Sequence, residues 1–426
     1  MKRGFYTIMS AQFFSSLADN ALFVAAVELL RTGGAPEWQR AALVPMFALF
    51  YVVLAPFVGA FSDALPKGKV MFVSNAIKVV GCLMMLFGSH PLMAYAVVGL
   101  GAAAYSPAKY GILTELLPAS QLVKANGWIE GLTIASIILG VLLGGQLVGQ
   151  SLSGLLLSLD LPLLETGIDN AAESAIAALI LVYALAAWFN TRIPHTGVEM
   201  RAMPRDPLAL LPDFWACNGR LWRDKLGQIS LATTTLFWGA GGNLKFIVLA
   251  WAAVALGYNT TQASALTGVV AIGTAVGAVV ASMHMRLDMA TRVIPLGIAM
   301  GLLLILMVFI SNIWLAIPFL ILLGGLGGFL VVPMNALLQH RGHNLMGAGR
   351  SIAVQNFNEQ ACILGLGAFY SLSLKLGLSV FGAIIVFGLV VAGMMWLIQR
   401  WHNHNGLHHG EELEHLLHIA RQDVHH

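Results

Sequence analysis

Apolar runs long enough to cross a bilayer recur along almost the whole chain, and they constrain the fold more than any other feature. A membrane-spanning helix needs about 20 mostly apolar residues. The sequence offers twelve such runs: 5–30, 39–62, 70–88, 91–117, 122–149, 173–192, 229–256, 263–285, 293–310, 312–339, 348–374 and 378–399. Barrel strands would instead alternate apolar and polar residues over about 10 positions. Only 10% of the 426 residues are charged, where a soluble domain carries about a quarter. Mean hydropathy is +0.80 and 58% of the residues are hydrophobic. These values exclude a cytosolic enzyme, a nucleic-acid binder and a disordered chain. The expectation is an all-α polytopic membrane protein with 12 transmembrane helices. The 45 glycines suit close helix packing in lipid. Cys82, Cys217 and Cys362 show no paired spacing, so neither a disulfide framework nor a metal site is expected. No cofactor is read.

The first run begins just after Lys2 and Arg3. It is too long for a signal-peptide core and holds Asp19 and Asn20 in its middle, so it reads as a retained helix. Lysine and arginine then set the orientation. With a cytoplasmic N-terminus, 17 of the 23 Lys and Arg residues fall on the cytoplasmic side. Arg31, Arg40 and Lys375 fall on the other, and Lys78, Lys109 and Lys245 fall inside spans. That asymmetry is the positive-inside pattern, and it places both termini in the cytoplasm. Segment 150–172 carries Asp160, Glu165 and Asp169 but no Lys or Arg, which suits the outer side. Segment 193–228 is the longest polar stretch and reads as a cytoplasmic linker between an N-terminal six-helix half (1–192) and a C-terminal one (229–400). Within it, Leu208 to Trp215 and Leu221 to Trp222 suggest two short surface helices.

The halves resemble each other. Gly99-Leu-Gly101 followed by Pro107-x-Lys109 matches Gly325-Leu-Gly327 followed by Pro333-x-Asn335. Asp19-Asn20 lies at nearly the same offset as Gly242-Asn243, and Asn126-x-x-x-Glu130 matches Gln355-Asn356-x-x-Glu359. Two related six-helix halves about a central cytoplasmic loop resemble a major-facilitator transporter, which implies a site near the midplane between them. Gly59-Ala-Phe-Ser-Asp63 followed by Lys67-Gly68-Lys69 resembles that superfamily's loop 2–3 signature, with about two extra residues after the aspartate. The glycine would let helices approach, and Asp63, Lys67 and Lys69 would form a charge latch. An ordinary positive-inside loop is the plainer alternative.

Ionisable groups inside a span cost about 2.5–3.5 kcal/mol on insertion scales and usually face a cavity. Gln12, Ser16 and Asp19 share one helical stripe, as do Thr234, Trp238, Gly241 and Lys245. Tyr105 and Lys109 stand one turn apart around Pro107, Gln355, Glu359 and Cys362 share a face, and Asn335 and Gln339 give their span a polar stripe. Asp19 and Lys245 could bind substrate or form a buried pair. Lys78 reads as snorkelling, and Glu28 as pairing with Arg31. Glu115 suits a gate or a pair with Lys124. Glu130 and Glu359 read either as hydrogen-bonded core acids or as sites for a coupling ion, sodium or proton. Gly140-x-x-x-Gly144-Gly145 is a packing face. The tail 401–426 holds eight of the 13 histidines without fixed ligand spacing and reads as solvated.

One acid and two separated lysines, lined by Phe13, Phe14, Phe23, Phe237, Trp238 and Phe246, suit an amphipathic molecule with a zwitterionic or anionic head. Lysine holds phosphate as a point charge. A multidrug or organic-ion exporter of the same fold is the second reading. It explains the acids but leaves Lys109 and Lys245 unused. A membrane enzyme is disfavoured, since no His-x-x-x-x-Asp pair, Gly-x-Ser-x-Gly elbow or metal-ligand cluster lies beside a span.

Longer strings narrow this. Ser15–Leu22, Gly101–Leu113, Leu122–Gly127, Leu236–Gly241, Val332–Gln339 and Ala348–Asn356 closely resemble the bacterial lysophospholipid transporter family over about residues 5–400. The resemblance implies an inner-membrane flippase of Gram-negative bacteria. Such a protein moves lysophosphatidylethanolamine, and lysophosphatidylglycerol, from the outer to the inner leaflet. A cytoplasmic acyl-ACP synthetase/acyltransferase then reacylates them, and the transporter acts as a monomer. Asp19, Lys109, Glu115 and the cation at 245 match charged positions of the family. Lys245 departs from it: relatives carry arginine there, and lysine lacks arginine's bidentate fork. Asn20, Tyr105, Asn243, Asn335 and Gln339 complete the expected substrate-binding set. Asp63, Lys67, Lys69, Glu115, Glu130 and Glu359 form the expected gating and coupling set.

Overall fold

The apolar runs fold as helices, because within a bilayer each backbone N–H and C=O must be bonded inside its own segment. The computed structural model describes residues 3–35, 37–159, 168–258 and 260–422, and among them no strand occurs. In chain order the helices are α1 (Arg3–Thr32), α2 (Glu37–Val53), α3 (Ala55–Ala64), α4 (Lys67–Leu86), α5 (Pro91–Leu116) and α6 (Ala119–Val148). There follow α7 (Gln150–Leu157), α8 (Ala171–Thr191), α9 (Leu210–Arg223), α10 (Gly227–Ala255) and α11 (Thr260–His284). The last five are α12 (Ile294–Met307), α13 (Ile313–Met346), α14 (Ala348–Lys375), α15 (Val380–His408) and α16 (Gly410–Arg421).

Among the described residues, eight helices are long and apolar enough to cross a membrane, and α2 with α3 supplies a ninth across a 72° bend. Helices α5, α10 and α14, of 26, 29 and 28 residues, are also long enough at about 1.5 Å per residue, and they hold many of the mid-span polar groups. Together these match the twelve runs. The bend was not expected: Pro56 in the first turn of α3 has no N–H to return to α2, and its ring crowds the preceding turn. The linker also differs from expectation. Leu210, Phe214, Cys217 and Leu221 are buried along one stripe, so α9 is a single 14-residue helix rather than two short ones. The tail is not simply solvated: α16 buries Leu416 and Ala420, and Arg421 Nε pairs with Asp288 at 3.0 Å. Asp160 and Glu165 lie outside the described residues.

The chain packs as two units. The first comprises Met1–Glu115, Ala135–Phe214 and Ala348–Ala353; the second comprises Leu116–Ile134, Trp215–Gly347 and Val354–His426. In the first, α1 presents Ala18, Ala21, Leu22, Ala25 and Ala26 to a core that includes Tyr95, Leu179 and Tyr183. A Cβ on Gly140 would lie 2.7 Å from the Leu17 carbonyl, and one on Gly144 would lie 2.7 Å from the Ala21 carbonyl. Gly140 and Gly144 therefore form the expected packing face, against α1, while Gly145, expected with them, has nothing within 4 Å of an added Cβ. In the second unit, Gly273 and Gly277 of α11 interleave with Gly324 and Gly328 of α13 so closely that any added Cβ would meet the facing backbone. Exposed apolar side chains such as Leu181, Phe309 and Trp314 lie where lipid would cover them.

Candidate functional site

In the first unit, helical spacing puts Ser15 and Asp19 on one face of α1, Asn75 and Lys78 on one face of α4, and Tyr183 and Asn190 on one face of α8. These faces meet. Lys78 Nζ lies 2.7 Å from Asp19 Oδ2, and the Tyr183 hydroxyl donates to Asp19 Oδ1 at 2.7 Å. Lys78 also donates to Ser15 Oγ at 3.0 Å. Ser15 donates to Asn75 Oδ1 at 2.7 Å, and Asn75 Nδ2 to Asn190 Oδ1 at 2.7 Å. Lys78 therefore does not snorkel. Its ammonium is spent inside the unit, because a desolvated carboxylate on α1 needs a cation and α4 brings this one within reach. Both Asp19 oxygens are engaged by Lys78 and Tyr183. The Lys245 side chain lies outside the described residues, so the Asp19–Lys245 expectation does too.

Tyr105 packs its ring beneath Lys78 Nζ, 5.1 Å from the ring centroid, a cation–π arrangement. Lys109, half-buried, holds its ammonium 4.3 Å from the Tyr110 ring centroid. Asn20 turns back onto its own helix, donating to the Ser16 carbonyl at 2.8 Å. The expected Glu28–Arg31 pair is present, with Nε to Oε2 at 2.9 Å.

A second charge network sits at the end of the first unit that carries Lys67. Asp63, at the close of α3, accepts from Lys67 Nζ at 3.1 Å, from the Gly349 N–H at 2.7 Å, and from the N–H and Nη1 of Arg350 at 3.1 and 3.2 Å. A carboxylate seated on the first turn of α14 is favoured by that helix's dipole. Lys67 Nζ also lies 3.3 Å from Glu115, and the Thr196 hydroxyl donates to Glu115 at 2.7 Å. Arg350 Nε reaches Asp213 of α9 at 3.0 Å. The expected Asp63–Lys67 contact is thus present. Lys69 is exposed and stands outside the network, and Glu115 pairs with Lys67 rather than Lys124. Gly59 serves as the motif suggests: a Cβ there would lie 2.8 Å from Ala353 Cβ and 3.1 Å from the Gly349 carbonyl.

The second unit gathers amides and acids. Asn126 and Gln339 exchange hydrogen bonds at 2.9 and 3.0 Å. Asn335 Nδ2 donates to Glu130 Oε1 at 3.4 Å, and Asn335 Oδ1 accepts from Gln355 Nε2 at 3.0 Å. Gln355 Nε2 also donates to Glu359 Oε1 at 2.7 Å. Asn335 and Gln339, expected to face substrate, are buried within this chain of polar groups. Asn243 ties α10 to α14, donating to the carbonyls of Gly239 and Ile363 at 2.8 and 3.0 Å.

The structure thus joins Asp19 with Tyr105 through Lys78, Asp63 with Lys67 and Glu115, and Glu130 with Asn335 and Glu359. Participants that escaped the sequence reading include Asn75, Tyr183, Asn190, Arg350 and Asp213. The first three lie on polar stripes at helical spacing within their spans, which was the available signal. Among the described residues no group of three or more His, Cys, Asp or Glu is placed to hold a metal ion.

A family model described as Major Facilitator Superfamily matches residues 8–366. The chain is also 40% identical over 381 residues to the lysophospholipid transporter LplT of Yersinia enterocolitica, covering 89% of each chain. It belongs to the lysophospholipid transporter family of the Major Facilitator Superfamily. A second member of that family, LplT of Yersinia pestis, is 40% identical over 378 residues, 88% of each chain. Solved superfamily structures share the fold at much lower identity. The human organic anion transporter MFSD10 matches with a TM-score of 0.68 at 15% identity, over 94% of this chain and 100% of its own. The transporter FucP in its outward conformation matches with a TM-score of 0.69 at 14% identity, over 93% of this chain and 98% of its own.

Proposed function

We propose that the protein is a secondary transporter that carries lysophospholipids. The carrying observation is the 40% identity to lysophospholipid transporters over 89% of each chain. The polar groups fit a zwitterionic head. Lys109 supplies a cation for the phosphate, with Lys245 as the second. The Asp19 side chain is 17% exposed against 2% for Lys78, so the carboxylate keeps an open edge for an ammonium while its lysine stays buried. The acyl chain would remain along the apolar wall or in the bilayer.

The finer reading follows from charge placement and family. Lysophosphatidylethanolamine and lysophosphatidylglycerol move from the outer to the inner leaflet of the bacterial inner membrane, where a cytoplasmic acyl-ACP synthetase/acyltransferase reacylates them. Both termini are cytoplasmic. The protein works as a monomer by alternating access of the halves 1–192 and 229–400, with the Asp63 network latching one state. It carries rather than catalyses. An exporter of lipophilic cations would leave Lys109 without a role.

Radiolabelled lysophosphatidylethanolamine against a lipophilic cation, in proteoliposomes, tests the reading. Uptake of the lysolipid alone is expected; uptake of the cation alone would sink it. Lys109→Ala should abolish lysolipid uptake into spheroplasts at unchanged protein level, and unaltered uptake would remove Lys109 from the site.

A further inference from the structure

Gln355 and Glu359 stand one turn apart on α14, and their hydrogen bonding is incomplete in one place. Gln355 Nε2 donates both to Glu359 Oε1, at 2.7 Å, and to Asn335 Oδ1, at 3.0 Å. Two acceptors around one nitrogen fix the amide, since turning it over would set its oxygen against both. Gln355 Oε1 therefore has a determined direction, and it is buried with no donor among the described residues. The residue as a whole is only 6% exposed. A buried amide oxygen left without a donor bears its full desolvation penalty.

Glu359 carries the complementary deficit. It is 8% exposed within a span, it accepts from Gln355 Nε2, and among the described residues no cation pairs with it. An ionised carboxylate in such a place is strongly disfavoured. No lysine or arginine is among the described groups that act on Glu359. Asn335 of α13 is neutral, Gly239 of α10 packs on Cys362, and Asn218 of α9 meets Asn358. Glu130, two amides away, acts on Glu359 electrostatically, and Glu359 in turn acts on the Cys362 thiol one turn on.

One proton answers both deficits. We infer that Glu359 is a proton-binding site whose neutral acid donates to Gln355 Oε1, closing a two-bond acid–amide ring with the Gln355 Nε2 donation already in place. Releasing that proton breaks the ring and puts a charge on Glu359, which Gln355 and Asn335 join to Glu130. A change of protonation is thereby transmitted from α14 through α13 to α6. The site goes beyond the lysolipid reading and stands without it.

Infrared spectroscopy on the full chain in lipid, with no lysolipid present, tests it. Wild type at neutral pH should show a protonated-carboxyl C=O band. Glu359→Gln should lose that band and still fold, because its amide N–H can donate to Gln355 Oε1 in place of the acid. Gln355→Leu should shift the band, since the acid loses its acceptor. Absence of the band in wild type, or its survival in Glu359→Gln, overturns the inference. Should Glu359→Gln fail to fold, Glu359→Asp must move the band, and an unmoved band overturns it equally. A saturable sodium-dependent stabilisation of wild type that Glu359→Gln abolishes would give the site to a metal cation instead.

Discussion

Lys78 holds its ammonium 2.7 Å from Asp19 while lying over the rings of both Tyr105 and Tyr183. The acid that the sequence marks as substrate-facing is therefore set by a lysine from another helix. Neither charge is tolerable in the span alone, and each keeps the other there.

Removing one partner should therefore cost more than removing both. Lys78→Met is expected to destabilise by about 3–5 kcal/mol, read as a lowered thermal midpoint in detergent. Lys78→Met combined with Asp19→Asn should recover most of that loss without restoring lysolipid uptake. Equal midpoints for the single and double variants would refute the pairing.

At the Asp63 network, Lys67 bridges two acids whose side chains are each 7% exposed. Lys67→Met leaves Glu115 without its cation and should cost about 3 kcal/mol or more. Glu115→Gln leaves Lys67 on Asp63 and should cost about 1–2 kcal/mol. The two thermal midpoints give the order, and the reverse order would contradict the bridging role.

Asn126 and Gln339 satisfy each other in a buried reciprocal pair. Gln339→Leu or Asn126→Leu alone should cost about 1–3 kcal/mol by orphaning the remaining amide. The double variant should cost less than the sum, and a cycle that is purely additive would show that the pair is not coupled.

Glycines of one string should differ sharply. A side chain at Gly140 meets the Leu17 carbonyl and Asn20, whereas nothing lies within 4 Å of a Cβ at Gly145. Gly140→Leu should cost about 1–3 kcal/mol or more through overpacking, and Gly145→Leu should be silent. Folded yield and thermal midpoint distinguish them.

Position 245 tests head-group recognition. Lys245→Arg restores a fork able to make a second charge-assisted bond to phosphate. A net gain of about 1 kcal/mol corresponds to a roughly fivefold lower KM for lysophosphatidylethanolamine. A raised KM would place the phosphate elsewhere.

Much of the architecture was legible because burial in lipid demands long apolar helices, and Lys and Arg are too few to blur the runs. The break at Leu54 was visible in principle, since Pro56 sits within the run. The partner of Asp19 was not. Helical periodicity shows that Asn75 and Lys78 share a face, but which helix that face meets is a matter of tertiary packing. Arg350 escaped for the same reason: its string marked the family, while its bond to Asp63 joins positions far apart in the chain. Asn335 and Gln339 were correctly singled out as unusual, yet polarity within a span does not say whether an amide faces a ligand or another amide. In the tail, the abundance of histidine hid a plain apolar spacing, Leu416 and Ala420, that seats α16.

That seating changes how the protein can be handled. Arg421 reaches both Asp288, at 3.0 Å, and Glu414, at 2.9 Å, so α16 is clipped to the turn that leads into α12. A reporter or purification handle spliced in ahead of Gly410 would detach that clip, whereas one placed beyond residue 422 leaves it whole. The stretch that looks most dispensable to a cloner is the one that should not be trimmed.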